Sequence, residues 1–439
     1  MSSRRHQRSG GPGLLLNLPW WYRPSLFLLG VSLPALLLFA NADSTLSLSS
    51  AQLFYGSRDT VLGILAILVL AAGALLGETG VFSRFVPGHW MKSGNQLVAG
   101  TQFHGRISEA FLTKKFDNIL LAVFLVSHLI FFRGFFLNPG MAMSVLGGDV
   151  ELKHTFKTIP GVTTWTQVSL VLAALRGLRW GGVLPGKVKL ISVFHLVFFG
   201  TLFIRAMLWS ERLALIEGVV PFFLCALPKV IRLTGPWMRT LMKFFPLIVP
   251  VLLLVVFTVF EYFRSWQYYG AQHGSLFQFG WLRLFTYYFE AMNTGSATLG
   301  VSGFYDGLTF PISEDEYEYI YKGLYLASLD VEFNNPSGIW YLATYTGNVL
   351  FFPLLAALGA FYGVVWKAFR EGRIFGLFFP INFLGLMEII RIHYWFGTNR
   401  VVPSTIVICL LVVWAVFLPR RLRFRSRPSL DPTSVHPVQ

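Results

Sequence analysis

Ionisable residues gather in three short runs whose spacing suits chemistry on an anionic or saccharide group. The first, Arg205-Ala-Met-Leu-Trp-Ser-Glu-Arg-Leu-Ala-Leu-Ile-Glu217, sets Arg205, Glu211, Arg212 and Glu217 at a turn between two apolar stretches. Guanidinium groups are planar forks of N–H donors that match phosphate oxygens. A pair of them, Arg205 and Arg212, suits a pyrophosphate. The competing reading is an Arg–Glu ion pair closing a helical hairpin, with the arginine stems snorkelling to a membrane surface. The second run holds Glu388, Arg391, His393, Tyr394, Trp395, Asn399 and Arg400. A histidine and a tyrosine between two arginines can combine a general base with a phosphate clamp. The alternative is an ordinary aromatic turn at an interface. The third run is Glu332-Phe-Asn-Asn-Pro-Ser-Gly338. Its polar residues, Glu332 and Asn334 among them, can hydrogen-bond a sugar or present a carboxylate. A helix cap explains residues 335–337 equally well but leaves Glu332 without a role.

Other residues carry less. His154 and His273 read as plain loop residues, and His89 and His104 have no partner in sequence. The acidic run at Glu314, Asp315, Glu316 and Glu318 reads as a solvated patch, with no calcium-loop spacing. Cys225 and Cys409 each lie in an apolar run, which argues against a disulfide or a metal pair. There is no glycine loop followed by Lys-Ser/Thr for ATP, no paired-aspartate motif of metal-dependent sugar transfer, and no His-rich helix for haem or metalloprotease chemistry. No metal and no cofactor is expected.

The elements that must position these residues are membrane helices. Of the 439 residues, 54% are hydrophobic, 16% aromatic and only 13% charged. A soluble globule carries about twice that charged fraction. Disorder, coiled coil and disulfide scaffold are excluded on the same ground. A spanning helix needs about 20 mostly apolar residues. Ten stretches meet or approach that, near 25–40, 59–77, 117–136, 161–179, 189–208, 213–228, 244–263, 341–366, 374–392 and 400–418. The net charge of +15 reads as topogenic rather than as a nucleic-acid surface. With both termini cytoplasmic, 25 of the 36 Lys and Arg fall on inner segments and 10 on outer ones, with Arg133 at an outer helix end. The expected fold is therefore all-α, a polytopic transmembrane bundle of about ten helices. It divides into a basic N-terminus (1–24), seven helices (25–263), a large periplasmic loop (264–337), three helices (338–418) and a basic tail (419–439). Within the loop, the spacing of Phe277, Trp281, Leu284 and Tyr288 predicts an interfacial helix over 276–292. The Gly/Ser/Thr-rich stretch 293–309 reads as loop. The first span, followed by Ala40-Asn41-Ala42, also mimics a cleavable signal peptide, although its basic lead is long and Pro34 interrupts it.

The segment from Arg205 and the Glu-Phe-Asn-Asn-Pro-Ser-Gly stretch from Glu332 resemble those of bacterial oligosaccharide repeat-unit polymerases of the Wzy type, as do the ten spans and the single dominant outer loop. The resemblance covers topology along most of the chain and residue patterns at about 25 positions. It implies an enzyme of the bacterial inner membrane, a metal-independent glycosyltransferase. Such an enzyme polymerises oligosaccharide units carried on undecaprenyl pyrophosphate, with the pyrophosphate lipid as leaving group. It works among membrane lipids, alongside a flippase and a chain-length regulator, and needs no nucleic acid. On that reading Arg205, Arg212, Arg391 and Arg400 hold the pyrophosphate, with Tyr394 and Asn334 in the binding set. The base that frees the attacking hydroxyl is His393, Glu211 or Glu332. A ligase using the same donor and a lipid-linked sugar transporter or flippase are the competing functions.

Overall fold

The computed structural model describes residues 18–41, 46–49, 51–81, 112–146, 152, 158–184, 188–209, 212–330, 332–395 and 399–417. Every regular element among them is helical. The principal helices are α1 (Pro24–Ala40), α2 (Ser57–Thr79), α3 (Lys114–Phe131), α4 (Ser169–Gly181), α5 (Val193–Leu208), α6 (Arg212–Leu233), α7 (Phe245–Arg264), α8 (Leu276–Val301), α9 (Glu314–Ala327), α10 (Gly338–Arg370), α11 (Phe378–Met387) and α12 (Val402–Phe417). Helix occurs at all ten positions where an apolar run was noted. Four of these helices are long and apolar enough to cross a membrane: α2, α6, α7 over Phe245–Tyr262, and α10. Helices α1, α5 and α12 are apolar but shorter, and so is Ile374–Met387, which comprises α11 and the 3-10 turn before it. Helix α3 opens on Lys114, Lys115 and Asp117. This is the helical architecture of a membrane protein. On α7, Leu247, Val251, Val255 and Val259 form a stripe at i, i+4 spacing, and each is half exposed or more. Such a row is stable only against lipid or another apolar partner.

Helices α2 and α10 make the most extensive contact in the molecule. Each carries a Gly-xxx-Gly pair at that contact, Gly73/Gly77 on α2 and Gly359/Gly363 on α10. A Cβ on Gly73 would overlap the carbonyl oxygen of Ala356, and one on Gly359 would overlap that of Leu70. Small residues let two backbones meet, which replaces the hydrophobic drive that lipid does not provide. These pairs are readable in the sequence as small residues four apart. Trp340, fully buried, wedges α10 against Gly63 of α2 and Gly295 of α8.

Two expectations for the long outer segment are corrected. Helix continues through the Gly/Ser/Thr-rich stretch as far as Val301, and the loop begins only after it. Nor does α8 lie on a surface: most of its residues are buried between α7, α10 and the strap formed by 46–49 and 51–56, although Phe277 and Trp281 remain exposed. Gly295 leaves room for Trp340, Thr298 meets Thr344 of α10 at 3.2 Å, and turn-like composition concealed that packing. Polar residues of α8 hold the strap. The Asn293 side chain accepts from the N–H groups of Phe54 and Tyr55 and donates to the Gln52 carbonyl, and Thr286 accepts from Leu48 N–H. Helix α10 breaks at Gly347, whose φ of 65° puts it in the left-handed region. There Asn348 ties the break to the 304–309 loop by donating to the Phe304 carbonyl and accepting from Thr309 N–H. The acidic run is the exposed first turn of α9, capped by Ser313, as a solvated patch should be.

Candidate functional site

A cavity of about 470 Å³ opens where the start of α6, the end of α7, the middle of α8 and the turn after α11 converge. Arg212, Arg391, Arg400, Glu388 and His393 line its polar side, together with Asn335 and Asn399. Leu213, Ile216, Phe257 and Leu284 line its apolar side. Three of the four arginines singled out in sequence therefore share one hollow, although Arg212 stands 179 positions from Arg391 and 188 from Arg400.

Each of the three guanidiniums is backed by a carboxylate. Arg212 Nη2 lies 2.6 Å from Glu261 Oε1, Arg391 Nε donates to Glu388 Oε2 at 2.5 Å, and Arg400 Nη1 donates to Glu217 Oε1 at 3.1 Å. Glu261 and Glu217 are buried. Such pairing fixes the orientation of the fork, and orientation is what makes a donor useful to a developing charge. Capacity remains for a ligand. Arg212 Nη1 is buried with no hydrogen-bond partner among the described residues, and the two terminal nitrogens of Arg391 make no hydrogen bond there. Arg212 also stacks on Phe257 at 4.1 Å. Among the described residues Glu388 is the one carboxylate on the wall, and this lining carries an excess of two positive charges, which Glu217 and Glu261 balance from behind. The cavity is thus an array of aimed N–H donors rather than a strongly positive basin.

The remaining candidates separate. Arg205 does not line the cavity; it donates to Thr166 Oγ1 at 2.9 Å and lies over the Phe131 ring, turned toward the α3 side of the hairpin. Arg205 and Arg212 therefore do not both line this cavity, and among the described carboxylates Arg212 reaches Glu261 on α7 while Glu217 reaches Arg400. Glu211 lies outside the described residues, as do His89, His104 and His154. Tyr394 is buried, and its hydroxyl donates to Glu217 at 2.9 Å, so it steadies the partner of Arg400 rather than lining the hollow. Asn334 presents its carbonyl to the Tyr321 hydroxyl, and it is Asn335 that faces the cavity. Ser337 does precede α10, but its hydroxyl donates to the Ile389 carbonyl at 3.2 Å instead of capping the helix. His393 sits on the cavity wall against Tyr341 and Trp395, with Nδ1 lacking a partner among the described residues. Burial pushes its imidazole down to about 4, so the ring is neutral at pH 7 and keeps a lone pair.

Glu332 stands in a different place. It receives two hydrogen bonds from Arg283 on α8, one of 2.6 Å to Oε2, and lines a second, more polar cavity of about 720 Å³. Arg283 Nε in turn lies 3.3 Å from Glu261 Oε2. The series Arg212–Glu261–Arg283–Glu332 therefore runs from the wall of one cavity to the wall of the other through a buried carboxylate. Arg283 and Glu261 were not singled out above. Arg283 was legible as the lone cation in an apolar helix, whereas Glu261 showed only as a charge near the end of a span. Beside the first cavity lies an apolar groove of about 230 Å³, walled by side chains such as Phe27, Phe39, Val249 and Phe383. The two share Leu253, Leu284, Tyr288 and Glu388, so donor array and apolar groove are continuous.

No family model, no curated protein and no solved structure matches this chain.

Proposed function

We propose that the chain transfers glycan from a polyprenyl-pyrophosphate carrier to a second lipid-linked unit, as a metal-independent polymerase of the bacterial inner membrane with ten spans and both termini cytoplasmic. The single observation that supports this reading most is the junction of Arg212, Arg391 and Arg400 with an apolar groove, because a lipid pyrophosphate is an anion joined to a hydrocarbon chain. Its leaving group gains charge as the sugar–phosphate bond breaks. Oriented N–H donors in a partly dry hollow stabilise that charge without a metal. His393, a neutral imidazole on the cavity wall, is the lining residue suited to take the proton of the attacking hydroxyl. Glu332 is bound to Arg283 in the other cavity and is set aside as that base.

The test is direct. Purified protein in detergent, incubated with lipid-pyrophosphate-linked oligosaccharide and no ATP, should give a ladder of longer glycans. Arg391→Ala should reduce that ladder at least about 100-fold while the protein elutes unchanged on gel filtration. A full ladder from the variant would remove Arg391 from the site. Transfer of whole glycan to an acceptor other than the repeat unit would mark a ligase, and lipid translocation without new glycosidic bonds would mark a flippase.

A further inference from the structure

We propose that the second cavity, with a row of stacked tyrosines leading out of it, is a saccharide-binding site distinct from the pyrophosphate hollow; that it serves the glycan of a lipid-linked unit rests on the function proposed above. The lining holds the two kinds of surface a sugar ring needs. Gln52, Gln272, Asp330 and Glu332 supply donors and acceptors for hydroxyl groups, while Tyr269 and Phe333 supply flat apolar faces. Asp330 uses Oδ1 to accept from the N–H groups of Glu332 and Phe333, at 2.7 and 2.9 Å, and leaves Oδ2 without a partner among the described residues. Among the described residues Arg283 is the one permanent positive charge on this wall, and Glu332 neutralises it, so the cavity favours a polyhydroxyl ligand over an anion. Its volume of about 720 Å³ suits an oligosaccharide rather than one small ion.

The tyrosine row carries the inference further. Tyr325 lines this cavity. Its ring stands 6.4 Å from Tyr321, Tyr321 stands 6.4 Å from Tyr317, Tyr317 stands 4.8 Å from Tyr341, and Tyr341 stands 4.6 Å from His393 on the wall of the cationic hollow. The first two steps are near-parallel stacks, with interplanar angles of 21° and 12°. Tyrosines at i, i+4, i+8 on α9 make this row, and α9 buries none of its residues. A surface helix kept in place by aromatic contacts, with the Tyr321 hydroxyl anchored on the Asn334 carbonyl, leaves Tyr321 half-buried and Tyr325 exposed, so that parts of their ring faces can meet a ligand. A glycan lying on those faces would reach from the polar cavity to the reacting centre beside His393.

The test uses full-length protein in detergent. The probe is the oligosaccharide released by mild acid from the lipid-linked pool of cells that make this protein, tagged at its reducing end. Saturable binding is expected. Tyr321→Leu and the more exposed Tyr325→Leu should each weaken it by about five- to tenfold, the worth of one aromatic face. Tyr321→Phe, which keeps the ring and loses the bond to Asn334, should stay within about twofold. Inorganic pyrophosphate should not displace the probe. Absence of saturable binding, Leu variants that bind as wild type, or displacement by pyrophosphate would each overturn the proposal. Glycan binding without a polymer ladder sinks only the polymerase reading. A ladder without glycan binding, unaffected by Tyr325→Leu, sinks only this one.

Discussion

Removal of the Glu261 carboxylate tests the electrostatic framework of the site. Glu261 is fully buried and touches Arg212 at 2.6 Å and Arg283 at 3.3 Å. In Glu261→Leu, Arg283 keeps Glu332, but among the described residues Arg212 keeps only the Phe257 and Tyr287 rings and a 3.5 Å contact to the Tyr287 hydroxyl. One strongly buried cation is thus left without a counter-charge, which costs about 3–5 kcal/mol. With an unfolding entropy of about 2.1 cal/mol/K per residue over 439 residues, the transition should fall by about 3–5 °C. Glu261→Gln keeps an acceptor oxygen and should lose roughly half as much, the difference between a charged and a neutral hydrogen bond. Thermal unfolding of the purified protein, followed by tryptophan fluorescence at one scan rate, reads both. The pair Glu261→Leu/Arg212→Met should regain most of the loss, because replacing a whole buried ion pair by apolar groups is close to neutral. It should stay inactive, because Arg212 is gone from the cavity. A single Glu261→Leu variant as stable as wild type, or a double variant whose losses simply add, would refute the claim that this carboxylate serves two arginines.

Two other perturbations test different links. His393 takes a proton only near pH 4, whereas the unfolded imidazole does so at about 6.5. The unfolded state therefore binds more protons in that window, and stability declines as pH falls from about 6.5 to 4. His393→Gln should flatten part of that acid decline in a pH series of unfolding temperatures, and an unchanged acid limb would show the ring to be solvated. At the α2–α10 contact, Gly77→Leu should abolish recovery of folded protein in detergent, since even a Cβ there would overlap the Ala360 carbonyl oxygen. Gly200→Ala on α5, with nothing within 4 Å of the added carbon, should be tolerated or gain up to about 1 kcal/mol. Equal behaviour of the two variants would contradict the packing described.

Composition and hydropathy alone determined the class of this protein. An apolar run must satisfy its backbone internally, so helix appears at every position where one was read. They also marked Arg212, Arg391, Arg400 and His393, because charged groups in so apolar a chain are few and costly to keep. Composition misled over 293–301, where Gly295 resembles a loop residue yet lies in a helix and leaves room for Trp340. What tertiary structure decided is which charge meets which. Spacing suggested that Arg205 and Arg212 act together, and Glu332 stood beside His393 and Glu211 as an alternative base. In the fold Arg205 turns to Thr166, Glu332 takes Arg283, and Glu261, from the end of another helix, holds Arg212. Partners of a buried charge are chosen by helix crossing and rotation over tens to hundreds of positions, and local sequence carries no record of either.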